Sequence, residues 1–399
     1  MKKLFFIIVF FTFLINNLFA DLKIDLEVSA KSKRKIPIIL ENFSSDAKNF
    51  STELFATIKN DLIFSDEFLI VDKNAEYSIG GSLNIIDNKI VFNLKVKDLF
   101  LKKDNLLKTY TASKSLLRKI GHKASEDILE TITGKKGIFT YKILFVDDKT
   151  GKKQIYLMDY DGKNVKRLTY GNHIDTSPVL FKDYLLFTSF KSGNPQVYIK
   201  NLKTGIKKIL ISKGKLSAAP DISPDFKLIA AMFNLGENSD IGLFDFNGKL
   251  IKKIAPSEFD EASPKFSHDG SKLAFVSNRS GSPQVYIVDL NTNKVRRISL
   301  GTNYSCYPTW GENDNYIFYS GMKNGKFYIY RASLQYFHIE QITEGEYPAT
   351  IFNDKYLLFT RLKDGFYQIF LMDVENSKIY QVTNWKSNKY YPSWYYGKY

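Results

Sequence analysis

Apolar and polar residues alternate along most of the chain in short runs, and the runs come in sets that repeat. Six segments open on a strand pattern: KILFVDD (142–148), YLLFTSF (184–190), KLIAAMF (227–233), KLAFVSN (272–278), YIFYSG (316–321) and YLLFTRL (356–362). Aligned on Phe145, Phe187, Ala230, Phe275, Phe318 and Phe359, they step by 42, 43, 45, 43 and 41 residues. A second strand follows each, as in QIYLMDY or PQVYIVDL, and a third follows that, as in VKRLTYG or VRRISLG. Then comes a fixed proline (Pro178, Pro220, Pro264, Pro308, Pro348 and Pro392), read as preceding a short fourth strand such as PKFSHDG.

Four short strands repeating at about 43 residues describe a propeller blade. The series opens at Lys142 on the second strand of a blade and ends at YYPSWYY (390–396) on the first strand of one. The C-terminal strand is therefore expected to pair with the sheet begun near Lys142 and close a six-bladed ring. A solenoid would show no such circular offset.

Residues 21–134 follow another pattern. KIPIILENF (35–43) reads as a strand. Phe50, Leu54, Ile58 and Leu62 mark a helix over 46–63, with Ser44 or Ser45 as its N-cap. A strand is expected at 67–71, a hairpin at 77–86 and 89–100 around Asp87-Asn88, and another strand at 106–112. Leu116, Ile120, Ala124, Ile128 and Ile132 mark a second helix over 114–133, stopped by Gly134. The fold class is thus mainly β: a six-bladed propeller preceded by a small α/β domain with a mixed sheet.

The first 20 residues, MKKLFFIIVFFTFLINNLFA, carry two lysines and a 12-residue apolar run, the pattern of a secretory signal peptide. Twelve helical residues span about 18 Å, short of a membrane's hydrocarbon core of about 30 Å. The expected organisation is a signal peptide at 1–20, an arm at 21–34, the α/β domain at 35–136 and the propeller at 137–399. The arm, Asp21, Leu22, Lys23, Ile24, Asp25, Leu26, Glu27 and Val28, alternates apolar and polar residues. It suits addition to a partner's sheet edge, or equally the first strand of the α/β domain.

Composition narrows the chemistry. One cysteine, Cys306, excludes an intrachain disulfide and a thiolate metal cluster, and the four histidines are far apart in sequence. No metal, cofactor or catalytic residue is assigned. His122 reads as a packing residue, and His173, His268 and His338 as isolated. Residues 21–134 hold 18 basic and 17 acidic side chains, whereas 135–399 hold 37 and 25. The excess is scattered rather than arrayed as a nucleic-acid groove, and no nucleic-acid partner is expected. The pairs Asp147-Asp148 and Asp260-Glu261 read as solvated loop charge. No G-x-S-x-G elbow occurs.

Loops before the prolines, and those between the first two strands of each repeat, open on one end of the channel. They bring forward Asp175, Thr176, Glu261, Ala262, Arg279, Tyr304, Cys306, Tyr307, Glu346 and Tyr390 as a candidate interaction face, Tyr and Arg being common anchors of protein interfaces.

The repeat ASPKFSHDGSKLAFVSNRSGSPQVYIVDLNTNKVRRIS (262–299), the junction IGHKASEDILETITGKKGIFTYKILFV (120–146) and the order of leader, arm, small domain and six blades together resemble the TolB family of the Tol-Pal envelope system. The resemblance implies a non-enzymatic periplasmic adaptor, monomeric, supporting outer-membrane integrity and envelope constriction at division. It implies that Pal, a peptidoglycan-associated lipoprotein, caps the candidate face. It also implies that TolA, anchored in the inner membrane, captures Asp21–Val28, with other outer-membrane proteins as further candidate partners. The competing expectation is a secreted propeller hydrolase or lyase acting on carbohydrate or peptide.

Overall fold

The computed structural model describes residues 34–336 and 338–396; the leader and the arm segment Asp21–Val28 lie outside them. Six strands and two helices come first: β1 (Ile36–Leu40), β2 (Ser44–Ser45), α1 (Lys48–Phe64), β3 (Phe68–Ile70), β4 (Tyr77–Ile86), β5 (Lys89–Asp98), β6 (Lys103–Ser113) and α2 (Leu117–Thr133). The sheet order is β3-β1-β4-β5-β6, with β2 beside β4. β1 runs parallel to β3 and β4, and the β4-β5-β6 meander is antiparallel, so the sheet is mixed.

Helix α1 buries Leu54, Ile58 and Leu62, the stripe its i+4 spacing marks. Its N-cap is Ala47 rather than a serine. Ser44 and Ser45 are drawn into β2 against β4, and Ser45 instead accepts a hydrogen bond from the Ala47 amide at 2.9 Å. A 3₁₀ turn over Lys114–Leu116 precedes α2. Gly134 ends α2 at φ 70°, where a side chain would be strained.

The rest forms six four-stranded antiparallel sheets. Lettered a to d outward from the axis, blade 1 takes strand a from Lys389–Tyr395 and strands b to d from Lys142–Asp147, Gln154–Asp159 and Lys166–Arg167. The closing register is Lys389 opposite Asp147, Tyr390 opposite Val146 and Trp394 opposite Ile143, so the ring closes as the offset of the repeats requires.

Two details of the repeat differ from the sequence alignment. The register places Ala231 and Tyr319, not Ala230 and Phe318, level with Phe145, Phe187, Phe275 and Phe359. Those positions carry a cross-strand ring stack: Phe145–Tyr156, Phe187–Tyr198, Phe275–Tyr286, Tyr319–Tyr330 and Phe359–Phe370, with centroids 5.5 to 5.9 Å apart. In blade 3 the pair is Ala231 and Gly242, and Phe233 and Phe244 fill the space that a Cβ on Gly242 would take. The fixed prolines also sit inside strand a, not before it. Every strand a shifts register across its X-Pro step, and the residue before each proline has φ between 49° and 56°. A proline is tolerated there because the innermost strand is an edge and a bulge needs no amide donor.

The two parts share one core. Ile58, Leu62 and Ile128 belong to the same buried cluster as Ile143, Tyr156, Tyr160, Tyr356 and Leu358 from blades 1 and 6. Phe64 at the end of α1 packs against Tyr160 at 5.2 Å and Tyr380 at 4.9 Å. Glu126 of α2 accepts the amides of Gly137 and Phe139 at 2.9 and 2.8 Å and so fixes the linker. Beside this apolar contact lies a charged cluster. His122 Nδ1 meets Asp61 at 2.8 Å, Tyr160 donates to Asp61 at 2.7 Å, Arg118 bonds Asp159 and Asp161 at 3.2 and 2.8 Å, and Lys142 bonds Asp159 at 2.6 Å.

Candidate interaction face of the propeller

The six strands a converge on a channel, and X-Pro identity decides its shape. In blades 2, 3 and 4 the residue before proline is Ser177, Ala219 or Ser263; in blades 5, 6 and 1 it is Tyr307, Tyr347 or Tyr391. The three tyrosines cluster, Tyr307 stacked on Tyr347 at 4.0 Å and Tyr391 tilted against Tyr347 at 4.6 Å, and the Tyr347 hydroxyl donates to that of Tyr307 at 3.1 Å. One side of the channel is therefore filled by rings. The small residues of the other side leave a cavity of about 420 Å³, walled by Phe190, Leu216, Met232 and Val276. Bulky side chains rarely occupy the left-handed region, so three tyrosines held there are a strain retained by the packing around them.

The residues singled out in the sequence divide into two groups. Thr176, Ala262, Tyr304, Cys306 and Tyr307 line the cavity. Glu346 and Tyr390 stand half-buried nearby, with Lys153 3.8 Å from the centre of the Tyr390 ring. Cys306 is almost wholly enclosed, and burial pushes its thiol far above the usual range, so it is inert. Asp175 and Glu261 are fully buried and face the interior of the blades. Burial raises both carboxyls above the ordinary carboxylate range. Glu261 accepts from Arg279 at 2.9 Å, and Arg279 lies over the Phe275 and Tyr286 rings at 5.4 and 5.2 Å. Glu261 and Arg279 brace the mouth from behind.

The two acidic pairs taken as solvated loop charge are partly interior. Asp147 is buried 3.9 Å from the buried Lys389, Asp148 accepts from the Asn388 amide at 2.8 Å, and Glu261 is committed to Arg279. Closure of the ring sets Asn388 and Lys389 against Asp147 and Asp148, whereas Glu261 is enclosed within blade 4 by Ser257, Ser277 and Arg279. His173 sits at the mouth, 3.5 Å from Asp175, while His268 bonds Asp314 at 2.9 Å in an a–b turn at the opposite end. His122 is buried as expected, but in the charged cluster rather than in apolar packing. His122, Asp159 and Asp161 offer three ligand atoms within 4.8 Å of one another. Arg118 and Lys142 already supply the cations these carboxylates need. Tyr347 and Tyr391 complete the aromatic wall and escaped sequence reasoning, although the column Ser, Ala, Ser, Tyr, Tyr, Tyr before the fixed prolines carries the signal.

A family model described as "TolB beta propeller domain" matches residues 129–394. The chain belongs to the TolB propeller family. Among curated relatives, the TolB homolog of Chlorobium luteolum is 34% identical over 227 residues, covering 56% of this chain and 51% of the relative. The TolB homolog of Chlorobaculum tepidum is 29% identical over 254 residues, covering 57% and 58%. The chain thus spans about half the length of the curated relatives it matches. The crystal structure of TolB from Acinetobacter baumannii superposes with a TM-score of 0.78 at 20% identity, covering 90% of this chain and 96% of that one. At that identity the likeness speaks for the fold, and it includes both the α/β part and the propeller of the TolB architecture. Among the described residues no helix is long and apolar enough to cross a membrane.

Proposed function

We propose that the protein is a non-catalytic periplasmic adaptor of the Tol-Pal system. The propeller mouth grips a Pal-type peptidoglycan-associated lipoprotein, and the arm Asp21–Val28 is captured by a TolA-type inner-membrane protein. The observation that carries this reading is the mouth of a TolB-family propeller, half filled by Tyr307, Tyr347 and Tyr391 and half open as an apolar cavity. Such a mouth offers rigid aromatic anchors beside a pocket for a partner's side chain, the anatomy of a protein-binding hot spot. Its described lining contains no Asp, Glu or His. Carboxylates and imidazoles, the commonest acid–base groups, are thus set back from the cavity wall, and the small and aromatic residues that form it favour binding.

Two variants separate the two contacts. Residues 21–27 are removed in one. Ala219→Tyr fills the open half of the cavity in the other, at a φ of 49° where tyrosine is already accepted in three sister blades. Binding to purified Pal-type and TolA-type domains is then measured by calorimetry. The arm deletion is expected to abolish TolA-type binding and spare Pal-type binding; Ala219→Tyr is expected to weaken Pal-type binding at least tenfold, about 1.4 kcal/mol, and spare the other. Equal loss of both partners in either variant, or turnover of a carbohydrate or peptide by the intact chain, defeats this division of labour.

A further inference from the structure

The outermost strands carry a pattern that the mouth and the arm leave unused. Lys166, Lys208, Lys252 and Arg296 hold one equivalent position on strand d of blades 1 to 4, opposite Leu157, Ile199, Leu243 and Ile287 of strand c. All four are exposed. A second basic residue adjoins each: Arg167, Lys207, Lys253 and Arg297. The row stops at blade 5, where the position is Glu340, paired with Arg331 at 2.6 Å. At blade 6 it is Tyr380, packed on Phe64 of the α/β part. The positive row thus runs over four consecutive blades, from blade 1, which also meets the α/β part, to blade 4.

Exposed branched aliphatic residues accompany the cations. Val165, Ile251 and Val295 directly precede Lys166, Lys252 and Arg296, and are 37%, 55% and 37% exposed. Ile206 and Ile209 flank the Lys207-Lys208 pair at 68% and 47%. Lysine on an outer strand also discourages edge-to-edge pairing, but that role does not call for bare isoleucine and valine beside each charge. Cations with aliphatic side chains at one level are what an interface of anionic headgroups and acyl chains accepts. A nucleic acid would want exposed aromatic platforms between the charges. The cross-strand neighbours of the four exposed cations are Leu and Ile, and the rings opposite Arg167 and Arg297, Tyr156 and Tyr286, are buried, although Tyr170 beside Arg167 is exposed.

We propose that the rim of blades 1 to 4 docks the propeller edge-on against an anionic lipid bilayer. A convex rim meets a plane over two or three blades at a time, so the contact is weak, reversible and sensitive to salt. It does not depend on the Pal and TolA reading, because the test contains neither partner.

The test is co-sedimentation of the mature chain with vesicles of pure phosphatidylcholine or of phosphatidylcholine with 30% phosphatidylglycerol, at low and high salt. Binding to the anionic vesicles is expected to exceed binding to neutral ones at least tenfold, and to fall at least tenfold in high salt. The quadruple variant Lys166→Gln, Lys208→Gln, Lys252→Gln, Arg296→Gln is expected to lose that binding while its melting transition is unchanged. Lys95→Gln with Lys97→Gln, on the sheet of the α/β part, is expected to leave binding as it was. Equal binding to both vesicle types, or equal loss in the Lys95 and Lys97 control, overturns the proposal. So does a chain that ignores vesicles but binds soluble polyphosphate. Failure of the wild type to bind vesicles, with aggregation of the quadruple variant, would assign the row to edge protection alone and likewise end it.

Discussion

His122 on α2 donates from Nδ1 to Asp61 on α1 at 2.8 Å, and its other nitrogen lies 3.1 Å from Arg118 Nη2 and 3.7 Å from Asp159 of blade 1. One imidazole thus joins both helices of the small domain to the propeller. Asp61, Asp159 and Asp161 outnumber Arg118 and Lys142 by one charge, and an imidazolium balances the set. Burial alone would lower the pKa of His122, but Asp159 and Asp61 outweigh it and raise the pKa from 6.5 to about 9.

A pH prediction follows from the sign of that shift. A raised folded-state pKa gives stabilisation that is complete below about pH 6.5 and fades as pH climbs through about 9. Urea unfolding at pH 6 and pH 9.5 should show this loss in the wild type and a smaller one in His122→Gln. Identical pH slopes in the two proteins would show that the ring is neutral throughout. At pH 6 the substitution should cost about 3–5 kcal/mol, the range for breaking a buried pair.

Lys389 and Asp147 make a second buried pair, this time across the seam that closes the ring. Burial depresses the lysine pKa, and Asp147 and Asp148 oppose that. Lys389→Met should destabilise by about 3–5 kcal/mol because it strands the Asp147 charge. Adding Asp147→Asn should restore most of the loss. A double-mutant cycle on chemical unfolding measures the coupling, and a value near zero would remove the pair from the account of closure.

Deletion of residues 390–399 removes nearly all of strand a from blade 1 and leaves Lys142–Asp147 as a bare edge. The expected outcome is a broadened, non-cooperative melting curve and a tendency to associate through that edge. A sharp transition at the wild-type temperature would contradict the part assigned to the seam.

Tyr347 tests the strain in the channel. Replacing a buried aromatic ring by alanine should cost about 3–5 kcal/mol. At φ 56° glycine escapes the left-handed penalty that alanine still carries. Tyr347→Gly should therefore be more stable than Tyr347→Ala by about 1 kcal/mol, although it is smaller. The reverse order in thermal unfolding would mean that the backbone relaxes to negative φ once the ring is gone.

Much of this architecture is legible in the residues, and what is not has a physical cause. Repeat length and offset announce six blades and the closure at Lys142 because strand period and turn spacing are local properties. The capping serines were misplaced because the choice of Ser44 and Ser45 between cap and strand is made by β4, far along the chain. The alignment slips by one at Ala231 because blade 3 moves its ring pair two residues along each strand, to Phe233 and Phe244, and at Tyr319 because the adjacent Phe318 is aromatic as well. Asp147 reads as solvated because its cover, Lys389, comes from the far end of the chain, and Glu261 because its partner Arg279 is brought over by the pairing of strands a and b. Thr176, Ala262, Tyr304, Cys306 and Tyr307 line the cavity while Asp175 and Glu261 are buried, a difference that cannot be told without the alternation of strand a.

Blade 1 joins segments almost 250 residues apart in the chain. During synthesis the small domain can already lie against Ile143 and Tyr156 while the innermost strand of that same sheet has yet to leave the ribosome. The nascent protein must therefore carry an open seam, with Leu144 and Val146 uncovered, through five successive blades. Shielding of that seam, rather than formation of any single blade, is then the step at which a helper protein has most to contribute.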